Sequence, residues 1–260
     1  QAENSKTRST KNSNAIFRSG GACCFNIGVG YIMPQLKSLE IAQNFGADPD
    51  RQESNMAESL QKHPEHCTYA DYCDWSEDER WEIIEGIPYN MASPSRQHAD
   101  ISRELHFQLT SFFRGKPCVV YSAPFDVRLP RRDEPDSDVD TVVQPDLLVV
   151  CDEKKLDDRG CRGAPDLVIE ILSPSTASRD CIQKRALYER HGVREFWTVD
   201  PSNRIVTVYL LGTDKTFGKA EIYADTDKIR VSIVENLEIN LEEIFPSMLR
   251  VVKESPTSFG

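Results

Sequence analysis

Apolar and polar positions fall into a regular rhythm only from Thr68 onward. Arg80–Glu85 (RWEIIE) and Ile87–Met91 (IPYNM) are short strand-like runs on either side of Gly86, the pattern of a hairpin. Between Ser95 and Phe113 the residues Ile101, Leu105, Leu109 and Phe112 recur at i, i+4, i+8 and i+11, which predicts a one-faced helix stopped by Gly115 and Pro117. Cys118–Tyr121 and Phe125–Leu129 predict a second strand pair, and Arg131–Asp140, with five carboxylates and two arginines, an acidic connecting loop. The runs 142–152 (VVQPDLLVVCD) and 165–173 (PDLVIEILS) are rich in Val, Leu and Ile, as in strands buried on both faces. A helix over about Ser175–His191 follows, capped by Ser or Thr at its start and by Gly192 at its end. Strands at 194–200 and 204–211, weaker ones near 219–224, 228–233 and 237–240, and the short helix LEEIF close the pattern. Strands and helices alternate in the centre and hairpins sit at both ends, which predicts an α/β (α+β) mixed sheet, not a doubly wound parallel one.

The first 66 residues lack this order. Residues 1–18 are rich in Ser, Thr, Asn, Lys and Arg, and 40–66 hold no sustained apolar period, so a disordered or weakly structured extension is expected there. Met56 stands about a dozen residues before the first organised segment, which predicts that 1–55 are an extension or a misassigned upstream segment and not a domain. The folded domain is placed at 67–250, with 251–260 as a tail. Residues 1–55 carry six Lys and Arg against five Asp and Glu, a balance of +1, so the net charge of −11 leaves −12 for residues 56–260. That acidity argues against non-specific coating of nucleic acid, which rests on many phosphate contacts, but leaves room for a locally basic cleft. The longest uncharged stretch, Ser19–Leu36, is broken by four glycines and Pro34, so no membrane segment is expected. The eight cysteines form no CxxC pair, and free thiols in a reducing cytoplasm are the expectation.

Glu170 carries the most chemical information. It is the one polar residue between Leu167 and Leu172, and a buried carboxylate needs a metal, a cation or a proton. Asp146 poses the same problem after Pro145, at the head of the run Leu147–Val150. Two carboxylates on neighbouring strands would suit a hard, oxygen-ligated cation such as magnesium, or each could accept hydrogen bonds from a loop. Lys184 lies four residues from both Asp180 and Tyr188. It makes either a surface ion pair with Asp180, worth about 0.3–0.5 kcal/mol, or a contact that the helix aims at the carboxylates. Residues 176–194 hold five Lys and Arg against two Asp and Glu, a balance that favours a phosphate-facing surface.

Gln144-Pro145-Asp146, Glu170-Ile171-Leu172, Lys184 and Tyr188 together resemble the PD-(D/E)XK nuclease superfamily. RWEIIEG, VVQPDLLVVCD, GAPDLVIEILSPST and KRALYERHGVREFWTVDP, in that order, are similar to the Uma-type family of bacterial putative restriction endonucleases, over roughly Thr68–Phe245. The resemblance implies a restriction-endonuclease-like core in which Asp146 and Glu170 bind Mg2+ or Mn2+, with Glu82 completing the site unless it is a solvent-facing hairpin residue. The lysine usual two residues after the acid is here Leu172, and Lys184 fits a migrated third catalytic position. His98, Arg179 and Tyr188 are the candidate substrate contacts. The implied function is hydrolysis of phosphodiester bonds in DNA by a cytoplasmic, metal-dependent endonuclease, with a second copy of the chain as a candidate partner. The rival is a catalytically degenerate nuclease fold that binds nucleic acid or protein, favoured by Leu172 and the acidic domain.

Overall fold

The computed structural model describes residues 65–76, 78–174 and 179–245, so the expectations for the N-terminal extension and the tail fall outside the described residues. The described chain begins with a short helix α1 (Tyr69–Cys73) and the expected hairpin of β1 (Trp81–Ile84) and β2 (Ile87–Asn90). Helix α2 spans Arg96–Phe113, with the Ser95 side chain accepting from the His98 amide at its N-cap. Its Ile101, Leu105 and Leu109 have no exposed surface, each such burial contributing about 1.5–3 kcal/mol.

The strands that follow are β3 (Val119–Ser122), β4 (Val127–Arg128), β5 (Val142–Val143), β6 (Leu147–Val150), β7 (Leu156–Asp157), β8 (Gly160–Arg162) and β9 (Leu167–Ile171). After β9 come a π-helical stretch, Arg179–Lys184, and helix α3 (Arg185–His191). The chain then forms β10 (Glu195–Asp200), β11 (Ile205–Leu210), β12 (Glu221–Ala224), β13 (Lys228–Arg230), β14 (Glu238–Asn240) and α4 (Leu241–Ile244).

These strands make two six-stranded sheets, β2-β1-β5-β4-β8-β7 and β12-β11-β10-β9-β6-β3, plus the β13–β14 hairpin. The second sheet is central. On one face it packs Leu147, Val149, Leu167, Ile169 and Trp197 against α2 and the β13–β14 region. On the other, Leu148, Val168 and Phe196 meet Leu187 and Tyr188 of α3 and Val127 and Val143 of the first sheet. Strands β9 and β10 are parallel, with Trp197 opposite Ile169 and Thr198 opposite Glu170, so the chain between them must cross over one face. That crossover carries the π-helical stretch and α3.

Four expectations change. The segments 118–121 and 125–129 are both extended but do not pair: β3 joins β6 in the central sheet, and β4 joins β5 and β8 in the first. The run 142–152 is split into β5 and β6, in different sheets, around Pro145, which has no amide hydrogen to give a ladder. Of the helix expected over 175–191, residues 175–178 lie outside the described residues, and Arg179–Lys184 is π-helical. Cys118 and Cys151 form a disulfide, against the expectation of free thiols. The register Val119↔Val150 puts the two cysteines opposite each other across β3 and β6, a proximity that spacing along the chain does not reveal. Among the described residues no helix is long and apolar enough to cross a membrane.

Candidate functional site

Glu170 sits on β9 on the same face as Val168, towards α3 and the first sheet, because side chains alternate along a strand. The crossover brings Lys184 and, one turn later, Tyr188 down onto that face. Glu82 of β1 arrives from the opposing sheet. Lys184 Nζ donates to Glu82 Oε1 at 2.8 Å and to Glu170 Oε1 at 3.0 Å, and the Tyr188 hydroxyl donates to the same Glu170 oxygen at 2.6 Å. Glu82, Glu170, Lys184 and Tyr188 are 0, 3, 2 and 0% exposed. Lys184 is therefore no surface residue, and Glu82 is no solvent-facing hairpin position.

Burial pushes the Glu82 carboxyl up, but the charges of Lys184 and Arg179 and the hydrogen bonds from Lys184 and the Gln144 amide outweigh it and hold the group below the ordinary glutamate value. Its second oxygen, Oε2, is buried with no hydrogen-bond partner. Arg179 lies over the Tyr89 ring, 4.9 Å from its centroid, and has a buried Nε without a hydrogen-bond partner.

Asp146 stands just before β6. Its Oδ2 accepts from the Ile171 amide at 2.7 Å and lies 3.1 Å from His98 Nε2 on the first turn of α2. Asp146 is thus tied to the backbone of β9 at the residue after Glu170. The three-carboxylate set of Glu82, Asp146 and Glu170 is not assembled, however: among the described residues no group of three His, Cys, Asp or Glu side chains is placed to hold a metal ion. The reason is visible in the contacts, since Lys184 fills the space between two of the acids and Asp146 is turned to His98. Tyr188 and His98, the expected substrate contacts, bond Glu170 and Asp146 in this structure.

The sequence reading missed Gln144. Its amide donates to Glu82 Oε1 at 2.9 Å, and its 6% exposed side chain lies in a polar network. The available signal was a lone amide side chain between Val143 and Pro145 in an apolar run. A surface cavity of about 720 Å³, lined by Phe107, Gln108, Arg230 and Glu238 among others, contains none of these residues.

Known proteins place this arrangement in context. Residues 68–242 match the Uma2 family, described as putative restriction endonuclease. An uncharacterised protein of Synechocystis sp., slr1290, is 28% identical over 120 residues, which is 45% of this chain and 60% of that protein. The match therefore spans less than two thirds of that relative's length. In overall fold the chain resembles the crystal structure of a putative nuclease belonging to DUF820 from Anabaena variabilis, with a TM-score of 0.56 and 20% identity, covering 68% of this chain and 97% of that one. That neighbour supports the mixed sheet and its restriction-endonuclease-like arrangement. Since the family pattern spans well over half of the sequence and includes all of the clustered side chains, the chain belongs to the Uma2 family of putative restriction endonucleases.

Proposed function

We propose that the chain is a divalent-cation-dependent endonuclease that hydrolyses phosphodiester bonds in DNA, with Glu82, Asp146 and Glu170 supplying oxygens to magnesium or manganese. One observation carries the reading: Lys184 Nζ stands 2.8 and 3.0 Å from two buried carboxylates, so this part of the fold is built around a cation. Carboxylate oxygens are the donor type that a hard metal takes, and in the metal-free arrangement Lys184 stands between two of them. Magnesium takes only one or two protein carboxylates and completes its shell with water and substrate phosphate, and Glu82 Oε2 is a buried oxygen without a protein partner. When bound, such an ion polarises the scissile phosphate as a Lewis acid.

The chain's own residues supply orientation and charge. The Ile171 amide and His98 hold Asp146 through Oδ2, and Asp146 would be one of the residues to hold the ion. Tyr188 fixes the rotamer of Glu170. With a divalent ion bound, the Lys184 ammonium, which here bonds Glu82 and Glu170, would be the group to neutralise charge growing on the phosphate oxygens. Arg179, beside Tyr89 and close enough to act on Glu82, is the phosphate contact at the rim.

The test is conversion of supercoiled plasmid to nicked and linear forms with Mg2+ or Mn2+, absent in EDTA and absent for Asp146→Asn. No cleavage by the wild type with either ion would overturn the proposal. A second reading, a catalytically silent fold that binds nucleic acid or protein, is favoured by the near-complete burial and mutual neutralisation of Glu82, Glu170 and Lys184. It requires DNA or protein binding in EDTA with no cleavage in metal.

A further inference from the structure

A second polar cluster lies directly behind the carboxylates. Gln144 Oε1 accepts from Arg80 Nε at 3.1 Å and from Arg80 NH2 at 2.8 Å. Gln144 Nε2 donates to the Tyr72 hydroxyl at 3.0 Å and to Asp126 Oδ1 at 2.9 Å, and the Tyr72 hydroxyl itself donates to Asp126 Oδ1 at 3.0 Å. A primary amide has two donors and two acceptor positions, and here all of them are filled. Asp126 is fixed in turn by its own backbone, whose carbonyl accepts from the Cys161 amide of β8. The side chain of Gln144 is thereby tied to α1, to the approach to β1 and to the segment before β4. Its main-chain N–H, two residues before Asp146, ends on Glu82 Oε1.

We propose that Gln144, held by Arg80, Tyr72 and Asp126, is the positioning residue of the cation site: it sets where the Glu82 carboxylate stands and where the chain turns into Asp146. The inference rests on the metal-dependent reading above. The chemistry explains why an amide is required. A glutamate would keep the acceptors for Arg80 but would lose the donors and set a second carboxylate against Asp126, whereas a methionine of similar length would leave Arg80, Tyr72 and Asp126 unsatisfied. Either variant keeps the main-chain N–H that Glu82 Oε1 shares with Lys184 but loses the side-chain ties that fix it in place, so the cost falls on metal affinity. Outer partners of this kind typically change metal affinity by about 10- to 100-fold.

The experiment measures the Mn2+ dissociation constant of the full chain by calorimetry, together with its thermal midpoint, for wild type, Gln144→Met, Gln144→Glu and Tyr72→Phe. Glu195→Gln serves as the control. Glu195 is also a buried carboxylate in a network, accepting from Trp197 Nε1 at 2.7 Å and from the Ser232 amide and hydroxyl at 2.6 Å, but it shares no residue with the site. Gln144→Met and Gln144→Glu should raise the Mn2+ constant by about 10- to 100-fold and move the Mn2+ dependence of plasmid nicking by the same factor. Tyr72→Phe, which removes one hydroxyl and keeps the packing, should raise it by a smaller factor; this variant decides the matter if both Gln144 variants fail to fold. Glu195→Gln should lower the thermal midpoint with no change in the Mn2+ constant. Wild-type Mn2+ affinity in Tyr72→Phe and in every folded Gln144 variant overturns the positioning role while leaving the nuclease reading intact. A wild type that binds no Mn2+ removes both.

Discussion

Lys184 is the residue on which the energetics of the site turn. A single ammonium compensates two carboxylates that have almost no contact with water, so removing it leaves buried charge with no partner. Breaking one side of a buried pair costs about 3–5 kcal/mol, against a few tenths for an exposed helix pair. Lys184→Met should therefore lower the stability of the metal-free protein by about that amount, and Mn2+ should restore part of it by supplying the missing charge. Denaturant melts with and without Mn2+ check this; an unchanged midpoint in the absence of metal would return Lys184 to the surface-pair description. Glu82 adds a pH dependence of definite sign. Its folded value is depressed, so the unfolded chain binds the proton more readily. The stability it contributes is complete above the ordinary glutamate range and is lost as the pH falls through the depressed folded value. Thermal midpoints of wild type and Glu82→Gln, measured downward from neutral pH, should converge in acid; parallel curves would show that Glu82 titrates normally. Glu170 was legible in the sequence because a lone acid in an apolar strand demands a partner. Lys184 was legible only as one of two alternatives, and Glu82 only through family resemblance, because each also fits an exposed position in its own element, and burial is decided by the element packed against it.

At the scale of elements, the site is a product of one crossover and one break. The parallel pairing of β9 and β10 obliges the intervening chain to return across the sheet, and the π-helical stretch ending at Lys184 delivers that side chain inward one turn ahead of Tyr188. Gly192 ends α3 in the left-handed region, with φ 85°, as the apolar period followed by glycine had implied. The break at Gln144-Pro145-Asp146 moves the chain from one sheet to the other, so that Gln144 meets Glu82 and Asp146 meets Ile171. Periodicity located the main helices and most strands, since those segments bury one consistent face. It missed β7 and β8, two and three residues long, and paired β3 with β4 wrongly, because strand partnership depends on which sheet each segment joins. The Cys118–Cys151 bond was hidden for the same reason. It closes a loop with a sequence separation of 33 between β3, at the edge of the central sheet, and β6, and the loop-entropy argument gives it about 3–4 kcal/mol. Reduction, or Cys118→Ser, should lower the thermal midpoint accordingly; a midpoint indifferent to reductant would show that the bond does not form in solution.

For the molecule as a whole, the buried polar cluster lies between two sheets and not on either one. The first sheet contributes Glu82, the central sheet Glu170, and the crossover Lys184 and Tyr188, so the face that joins the sheets also carries the candidate site. Composition could not show this, because a net charge of −11 counts exposed and buried groups alike and does not reveal that this lysine is internal. The separation of 102 residues between Glu82 and Lys184 also sets an order of events during synthesis. At about 5–20 residues per second, Lys184 is made roughly 5–20 s after Glu82. Throughout that interval the β1–β2 hairpin carries a carboxylate that cannot be buried in its charged form, so the emerging first sheet has to stay hydrated and open at this seam. Ribosome-arrested chains of increasing length should thus remain sensitive to protease around β1 until Lys184 and Tyr188 have emerged, and become resistant in a single step thereafter. Resistance in chains that end before the crossover would mean that the first sheet closes without its cation.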